Sequence, residues 1–275
     1  MATAITATTI TATPPNLGDL LVARAHDEQP WLFWREDYDW CWLSFRQAVD
    51  QIARTVERLH ARDIADTPSP IAYDAWLSPD AIAADLALHC AGRSAVPARH
   101  ADDADTWLST DDDLVEARSR LDRWDPEPLA ISGELGGVIL EGRRLDATAQ
   151  LDSARRLERT LAPKLEDTKR PTVAVITSAL DEPWVRELVW WSLLTRSALI
   201  LEPSLAVLAS TAHWARPHLV SAPVSALRSF AANVTGRPRR HKRLRLVIGE
   251  RSWNDGNEQV WEPLDVAYVA ITQID

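Results

Sequence analysis

The chain has 275 residues, of which 46% are hydrophobic and 25% charged, a composition typical of a folded globular protein and unlike that of a disordered one. Its net charge of −10 at pH 7 argues against broad nucleic-acid binding and against attraction to anionic membranes. No apolar run approaches the roughly 20 residues that a membrane helix needs, and residues 1–15 lack the basic start and apolar centre of a signal peptide. We therefore expect a cytoplasmic protein that neither binds nucleic acid nor inserts into membranes.

Cysteine and tryptophan usage are both informative. A core of this size needs no disulfide, so Cys41 and Cys90 are expected to stay unpaired in a reducing compartment. There are 13 Trp against three Phe and three Tyr. Because Trp is large and apolar but carries an N–H that needs a partner, these residues either fill the core or line an apolar pocket or subunit interface.

The N-terminal part of the chain carries clear signals for helices and strands. Ser44, followed by Gln47 three residues later, is a capping box at the start of a helix. Ser78-Pro79 and Gly92 supply the cap, the first-turn proline and the terminal glycine of another. Two aromatic runs separated by three residues predict a hairpin. In chain order, we predict a flexible segment at 1–15, a helix at 16–25, strands at 31–35 and 39–43, a helix at 44–60, a strand at 71–73, a helix at 78–92 and a strand at 95–97.

The middle of the chain begins with an acidic stretch at 102–113. It lacks the glycine and the terminal glutamate of a calcium loop. Its last three aspartates follow Thr110, and negative charge is favourable in the first turn of a helix that Thr110 would cap. We therefore expect no metal site. The predicted elements are an acidic loop at 102–113, a helix from 110 to about 123, a strand at 129–132 and a helix at 146–161.

The C-terminal part repeats strand-then-helix units. The continuous apolar, β-branched run 172–178 is typical of a buried parallel strand. Such repeats predict an α/β fold with mostly parallel sheets flanked by helices. We expect residues 16–275 to form one domain, or two subdomains divided near residue 170. The predicted elements are a strand at 172–178, a helix at 181–195, a strand at 198–201, helices at 204–212 and 224–232 around a strand at 219–221, and strands at 243–248 and 266–272.

The order of these segments resembles the N-terminal domain of adenylate-forming enzymes, which include acyl-CoA synthetases and nonribosomal adenylation domains. The resemblance implies the fold of that N-terminal domain without the family's C-terminal lid. It spans residues 16–250 and is carried by WLSFRQAVDQIARTVERL (42–59), IAYDAWLSPDAIAADLALHCAGRSAVPA (71–98), LVWWSLLTRSALILEPS (188–204), LVSAPVSALRSF (219–230) and KRLRLVIGE (242–250).

The family's phosphate loop, roughly Thr-Ser-Gly-Thr-Thr-Gly-x-Pro-Lys-Gly, surrounds ATP phosphates with hydroxyls, backbone N–H groups and a lysine. The corresponding segment here is ISGELGGVIL (131–140), in which only Ser132 and Gly133 match. Glu134 and Leu135 replace the two hydroxyl residues, the proline and lysine are missing, and the Glu134 carboxylate would repel polyphosphate. The resemblance therefore implies a vestigial cofactor site at Ser132 and Gly133, no catalytic residue and no expected cofactor.

A basic run stands out in this acidic protein. It could bind a phosphopantetheine or CoA phosphate, or the acidic face of a carrier protein. It could equally be a solvated loop that leads into a strand. The run comprises Arg237, Arg239, Arg240, Lys242, Arg243 and Arg245.

Three functions are compatible with the resemblance. The first, which we favour, is a non-catalytic homologue of an acyl- or aryl-acid ligase that binds or scaffolds, paired with itself, an intact adenylating enzyme or an acyl carrier protein. The second is an ATP- and Mg-dependent ligase whose lid comes from a partner chain. The third is a small hydrophobic acid-binding protein whose pocket is lined by some of Trp184, Trp190, Trp191 and Trp214.

Overall fold

The computed structural model describes residues 16–37, 39–61, 69–101, 106–108, 129, 131–166, 168–177, 179–204, 206–208, 216–236, 242–250, 261 and 266–271. The main helices in these residues are α1 (Leu17–Arg24), α2 (Phe45–Ala61), α3 (Pro79–Cys90), α4 (Ala147–Leu161), α5 (Pro183–Thr195) and α6 (Val224–Gly236). The strands are β1 (Pro30–Glu36), β2 (Asp39–Ser44), β3 (Ile71–Tyr73), β4 (Ser94–Pro97), β5 (Thr106–Leu108), β6 (Gly137–Leu140), β7 (Arg143–Asp146), β8 (Thr172–Val175), β9 (Ala198–Leu201), β10 (Leu219–Ser221), β11 (Leu246–Glu250) and β12 (Ala267–Ile271).

These strands form two sheets. The larger has seven strands in the order β12-β11-β10-β8-β9-β1-β2, and the smaller has five in the order β5-β3-β4-β6-β7. All neighbouring strands are parallel except β1–β2 and β6–β7, which are antiparallel hairpins at the sheet edges. The predicted α/β class with mostly parallel sheets is therefore confirmed.

The chain enters the seven-stranded sheet, leaves it and returns. β1 pairs with β9, so that Leu32 lies opposite Leu199, while β3 to β7 build the five-stranded sheet in between. The first hairpin thus joins strands that come after residue 170. The division into subdomains near that residue stays a prediction.

The core lies on both faces of the seven-stranded sheet. Val173 and Val175 face one apolar cluster, and Ala174 and Ile176 face the other, as the alternation of a strand requires. Helix α3 has apolar residues on all sides and is buried along its whole length except at Asp80, which is typical of a helix enclosed by other elements. The four largest fully buried side chains are Trp31, Trp190, Trp191 and Trp261, which confirms a core role for tryptophan at these positions.

The predicted helix starts are correct at two well-marked caps. Ser44 N–H donates to Gln47 Oε1 at 2.8 Å, and Gln47 N–H donates to Ser44 Oγ at 3.1 Å, which is the reciprocal pair of a capping box. Ser78 Oγ accepts from Ala81 N–H at 3.1 Å and starts α3. Gly92, with φ of +74°, lies just beyond the end of that helix in the left-handed conformation that favours glycine.

Three sequence predictions need correction. The described residues of 129–132 form no strand, because Ser132 N–H donates to the carbonyl of Cys90, at the end of α3, instead of to a neighbouring strand. The sheet strand is β6, eight residues later, and β6 and β7 were both missed. The predicted acidic loop contains β5, and the 172–178 strand ends at Val175. The helix predicted from 110 to 123 and most of the helix at 204–212 lie outside the described residues.

Candidate functional site

A cleft lies where the loops beyond the carboxyl ends of strands from both sheets meet. The loop after β3 and the loop between β8 and α5 are joined by a bridge between Trp76 and Ala179, and Leu180 N–H donates to Ala75 O at 2.7 Å. Open α/β sheets bind their ligands beyond the carboxyl ends of their strands. The cavity has a volume of about 260 Å³ and is lined by Asp74, Ala75, Trp76, Ala98, Arg99, Ala179 and Asp181.

Charged side chains surround one wall of the cleft. Asp181 is buried and forms an ion pair with Arg99, and His100 Nε2 lies 3.4 Å from Asp181 Oδ2. Arg99 Nη2 also lies 3.4 Å from Glu182 Oε1. Asp74 also lines the cleft, so the lining holds two carboxylates and one guanidinium group and is acidic.

Trp76 supplies the apolar surface of the cleft. Its side chain is 63% exposed, more than that of any other large hydrophobic residue in the described part of the chain. Its backbone N–H donates to Asp74 Oδ1 at 3.3 Å, which fixes the turn after β3. An indole exposed beside a cavity can pack against a flat or apolar ligand.

A buried polar network lies beside the segments that form the cleft. Arg186 Nη2 donates to Asp85 Oδ2 at 2.7 Å, and Arg186 Nη1 donates to the Tyr73 hydroxyl at 3.1 Å. That hydroxyl in turn donates to Asp85 Oδ1 at 3.0 Å. Tyr73 ends β3 directly before the cleft residue Asp74, so the network joins this strand to α3 and α5.

The pKa values in this network reflect burial and charge. Burial raises the pKa of Tyr73 well above its usual value, and the Asp85 charge adds to the shift. Burial alone would lower the pKa of Arg186, but the charge of Asp85 and the hydrogen bonds that Arg186 donates to Asp85 and Tyr73 outweigh burial and raise that pKa. Tyr73 therefore stays a neutral phenol and Arg186 a cation, and neither is ready to exchange a proton with solvent.

His89 belongs to the same network as a neutral side chain. Burial lowers its pKa. Its Nε2 lies 3.2 Å from Arg186 Nη2 and 3.3 Å from Gln150 Nε2, both of which are N–H donors. Nε2 must therefore accept, and the ring proton lies on Nδ1. This arrangement positions α3 against α4 and α5.

The structure places Ser132 and Gly133 away from the cleft. Both are exposed, and the loop 131–136 packs against the end of α3, where Gly136 N–H donates to His89 O at 2.8 Å. That end of α3 precedes β4, whereas the cleft follows β4. Ser132 and Gly133 therefore lie at the amino edge of the five-stranded sheet. Their role in holding phosphate stays a prediction.

The carboxyl end of β6 carries a two-residue turn. Leu140 pairs with Arg143, and the intervening Glu141 and Gly142 have φ of +49° and +76°. Two consecutive residues with positive φ form the tightest hairpin turn, for which glycine at the second position is favoured. Glu-Gly between two runs that contain apolar residues is the sequence signal of this hairpin, which was not among the predicted elements.

The described part of the basic run lies at the amino end of β11 in the seven-stranded sheet. Lys242 and Arg243 are exposed and precede β11, while Arg237, Arg239 and Arg240 lie outside the described residues. The described part of the run is thus not brought to the cleft.

Of the four tryptophans predicted for an acid pocket, only Trp184 is partly exposed in the described part of the chain. Trp190 and Trp191 are buried in the core, and Trp214 lies outside the described residues. The cleft residue Trp76 was not among those predicted, and no sequence signal distinguishes it from the core tryptophans.

The described ranges contain two free thiols and no cluster of potential metal ligands. Within them, no three His, Cys, Asp or Glu side chains lie together as metal ligands, and no helix is both long and apolar enough to cross a membrane. Cys41 and Cys90 are both free thiols.

Comparisons with known proteins identify the fold. No protein-family model and no curated protein matches the chain. Among solved structures, it is similar to the nonribosomal peptide synthetase FmoA3 (TM-score 0.71, 15% identity, 96% of this chain and 32% of that chain). It is also similar to the N-terminal domain of FACL13 from Mycobacterium tuberculosis (TM-score 0.69, 14% identity, 95% and 76%). A third similar structure is O-succinylbenzoate coenzyme A synthetase (MenE) from Bacillus subtilis (TM-score 0.63, 13% identity, 84% and 56%).

The coverage shows which part of these proteins the chain matches. It spans about a third of the FmoA3 chain, but three quarters of a structure that contains only the N-terminal domain of FACL13. At these identities the similarity concerns the fold. The chain therefore has the fold of the N-terminal domain of adenylate-forming enzymes, the superfamily that its sequence resembles.

Proposed function

We propose that this chain is a non-catalytic homologue of an acyl- or aryl-acid adenylating ligase and that it acts as a binding or scaffolding partner. The observation that carries this proposal is the turn Glu141-Gly142. A phosphate loop must lie beyond the carboxyl ends of the parallel strands, which is where β6 ends. A two-residue turn offers too few backbone N–H groups to surround a polyphosphate, and the Glu141 carboxylate repels one.

The test is a calorimetric titration with Mg-ATP, combined with acid-dependent pyrophosphate exchange. We expect no heat of binding at millimolar Mg-ATP and no exchange with aliphatic or aromatic acids. An intact adenylating enzyme measured under the same conditions is the positive control. Millimolar or tighter binding that is lost in Ser132→Ala would contradict the proposal and would place the phosphate site in the loop 131–136.

The ligase alternative makes a different prediction for the same assay. If a partner chain supplies a lid, exchange should appear when an adenylating enzyme inactivated in its own phosphate loop is added. Absence of exchange in that mixture would exclude this alternative for the partner tested.

The cleft favours a second binding function, for a small hydrophobic acid. Trp76 offers an exposed indole, and Arg99 offers a guanidinium that already contacts Asp181 and Glu182. A ligand carboxylate must therefore compete with protein carboxylates, and we expect weak binding. Octanoate and benzoate are suitable probes, since quenching that occurs in the native protein but not in Trp76→Phe would locate the ligand in the cleft.

Partnership is the remaining part of the proposed function. A second copy of this chain, an adenylating enzyme and an acyl carrier protein are the three candidate partners. Sedimentation equilibrium of the purified chain distinguishes the first from the others, because only a homodimer gives twice the 30.7 kDa of the chain without an added protein.

A further inference from the structure

The segments that lead into four neighbouring strands of the seven-stranded sheet are rich in Lys and Arg. The strands β11, β10, β8 and β9 are consecutive in the sheet. They are preceded by residues 242–245, 216–218, 169–171 and 196–197, and these four segments contain no Asp or Glu. Their seven cationic residues, which we call the basic edge, are Lys169, Arg170, Arg196, Arg216, Lys242, Arg243 and Arg245.

Backbone hydrogen bonds hold these segments side by side. His218 N–H donates to Thr172 O at 2.8 Å, and Arg245 N–H donates to His218 O at 2.8 Å. Ala198 N–H donates to Pro171 O at 3.0 Å. Since neighbouring strands lie about 4.8 Å apart, the basic edge spans roughly 15 Å across the four strands.

The charges of the basic edge are directed largely to solvent. All of its members are exposed except Arg170, which is half-buried. Arg170 Nε donates to Arg196 O at 2.9 Å, and Arg196 pairs with Asp27 at 2.8 Å. Asp27 thus offsets positive charge at the β9 end, whereas Lys242, Arg243 and Arg245 are exposed at the β11 end.

His218 lies directly before β10, among the cations of the basic edge. Burial is the main cause that lowers its pKa, and the charges of Arg243 and Arg245 lower it further. Its Nδ1 accepts from Thr172 N–H at 3.1 Å, so the ring is held in place between β8 and β10. An anionic partner that offset these two arginines would remove part of the shift.

The opposite edge of the strands has the opposite charge. The acidic cleft lies at that edge, and Glu202 follows β9 as a buried carboxylate. The whole chain carries a net charge of −10. Charges separated by more than about 8–10 Å are screened at physiological ionic strength, so a short anion responds to the basic edge alone. A long polyanion extends beyond it and is repelled by the rest of the surface.

We propose that the basic edge is a docking surface for a short acidic segment of a partner protein, one that presents several Asp or Glu side chains within about 15 Å. Guanidinium groups pair with carboxylates through two parallel hydrogen bonds, and five of the seven cations are arginines. This surface is remote from the cleft and would deepen the proposed binding role, and its peptide test can fail without any change in the Mg-ATP result.

The experiment measures fluorescence anisotropy of a labelled peptide made of Glu-Ser-Asp-Ser repeats at low and physiological ionic strength. The test variant combines Lys242→Gln, Arg243→Gln and Arg245→Gln. The matched control combines Arg143→Gln, Arg144→Gln and Arg159→Gln, which removes the same charge from exposed sites outside the basic edge. We expect Kd to rise about tenfold or more in the test variant and less than about twofold in the control, because only the former removes contacts.

Three outcomes would overturn the proposal. One is that the native protein does not bind the peptide, and another is that both variants weaken binding equally, which would reflect net charge alone. The third is a DNA duplex that binds more tightly than the peptide through the same three residues, which would make the edge a nucleic-acid surface. In the complex, an NMR titration of His218 is expected to show a higher pKa than in the free protein, since carboxylates would offset Arg243 and Arg245.

Discussion

Arg186 and Asp85 form an ion pair that is out of contact with solvent, and it joins α5 to α3 through a 2.7 Å hydrogen bond. Taking two charges out of water is costly, and the surrounding hydrogen bonds are what make it tolerable. Here Tyr73 completes the coordination of Asp85, and Gln150 Oε1 accepts from Arg186 Nε at 3.1 Å. The pair therefore links the two helices through a buried and fully hydrogen-bonded contact.

Replacing Arg186 with Met should destabilise the protein strongly. Asp85 would remain buried without its cation, and loss of one partner of a buried pair costs about 3–5 kcal/mol. Urea unfolding followed by circular dichroism measures the change. Arg155→Met is the control, because Arg155 pairs with the half-exposed Asp152 and should cost less than about 1 kcal/mol.

The double variant Arg186→Met with Asp85→Leu tests the same ion pair in a second way. Removing both charges avoids an uncompensated carboxylate, so the double variant should recover part of the stability lost in Arg186→Met. Equal losses in the single and double variants would show that the destabilisation comes from packing and not from the unpaired charge.

Glu187→Gln should change the dependence of stability on pH. Burial raises the pKa of Glu187, although Ser153 Oγ donates to its Oε1 at 2.5 Å. The folded state therefore binds this proton more tightly than the unfolded state. The contribution of Glu187 is most favourable below its unfolded pKa, near 4.5, and is lost as pH rises through the higher folded value. We expect Glu187→Gln to be more stable, relative to the native protein, at pH 7 than at pH 4, as measured by urea unfolding. A stability difference that is constant between these pH values would contradict this prediction.

Gly136→Ala and Gly133→Ala should differ in effect although both change one loop. A Cβ atom at Gly136 would overlap the backbone of Arg93, whereas a Cβ atom at Gly133 would meet nothing within 4 Å. We expect Gly136→Ala to lower the free energy of unfolding by more than about 2 kcal/mol and Gly133→Ala to change it by less than about 0.5 kcal/mol. Similar losses in both would mean that the loop lies differently against α3.

The two thiols should react at very different rates. Burial raises the pKa of the Cys90 thiol to about 12, which suppresses the reactive thiolate, while Cys41 is partly exposed. We expect iodoacetamide at pH 8 to label Cys41 in the native protein and Cys90 only after urea is added, as detected by mass spectrometry. Cys41→Ser should abolish native labelling. Equal labelling of both thiols without urea would show that α3 opens readily.

The sequence predicted elements well where one local signal determined the structure. The strands Ile71–Tyr73, Ala198–Leu201 and Leu219–Ser221 match the predicted bounds because each is a short buried run between clear turns. The caps at Ser44 and Ser78 were also correct, since a capping side chain bonds within its own turn. The hairpin β6–β7 was missed because the predicted strand was placed directly after Pro126 and Pro128, at 129–132, whereas β6 begins at Gly137.

The cleft could not be predicted in the same way. It is built from three segments, near Asp74, Arg99 and Asp181, which follow β3, β4 and β8 and come together where the two sheets meet. In the sequence, Asp181 is recognisable only as a residue at a helix start. Its contact with Arg99 depends on the packing of the two sheets. The basic run was visible in the sequence, but its extension to Lys169 and Arg216 depends on strand order.

The pairing of β1 with β9 has a consequence for how the chain acquires its structure during synthesis. Leu32 cannot meet Leu199 until both residues have left the ribosome, whereas β3 to β7 lie within one continuous stretch of the chain. Contacts between distant residues form slowly, because closing a long loop is costly in entropy. The five-stranded sheet can thus assemble first. Until β9 is synthesised, the edge of β1 that pairs with it stays open to pairing with other nascent chains.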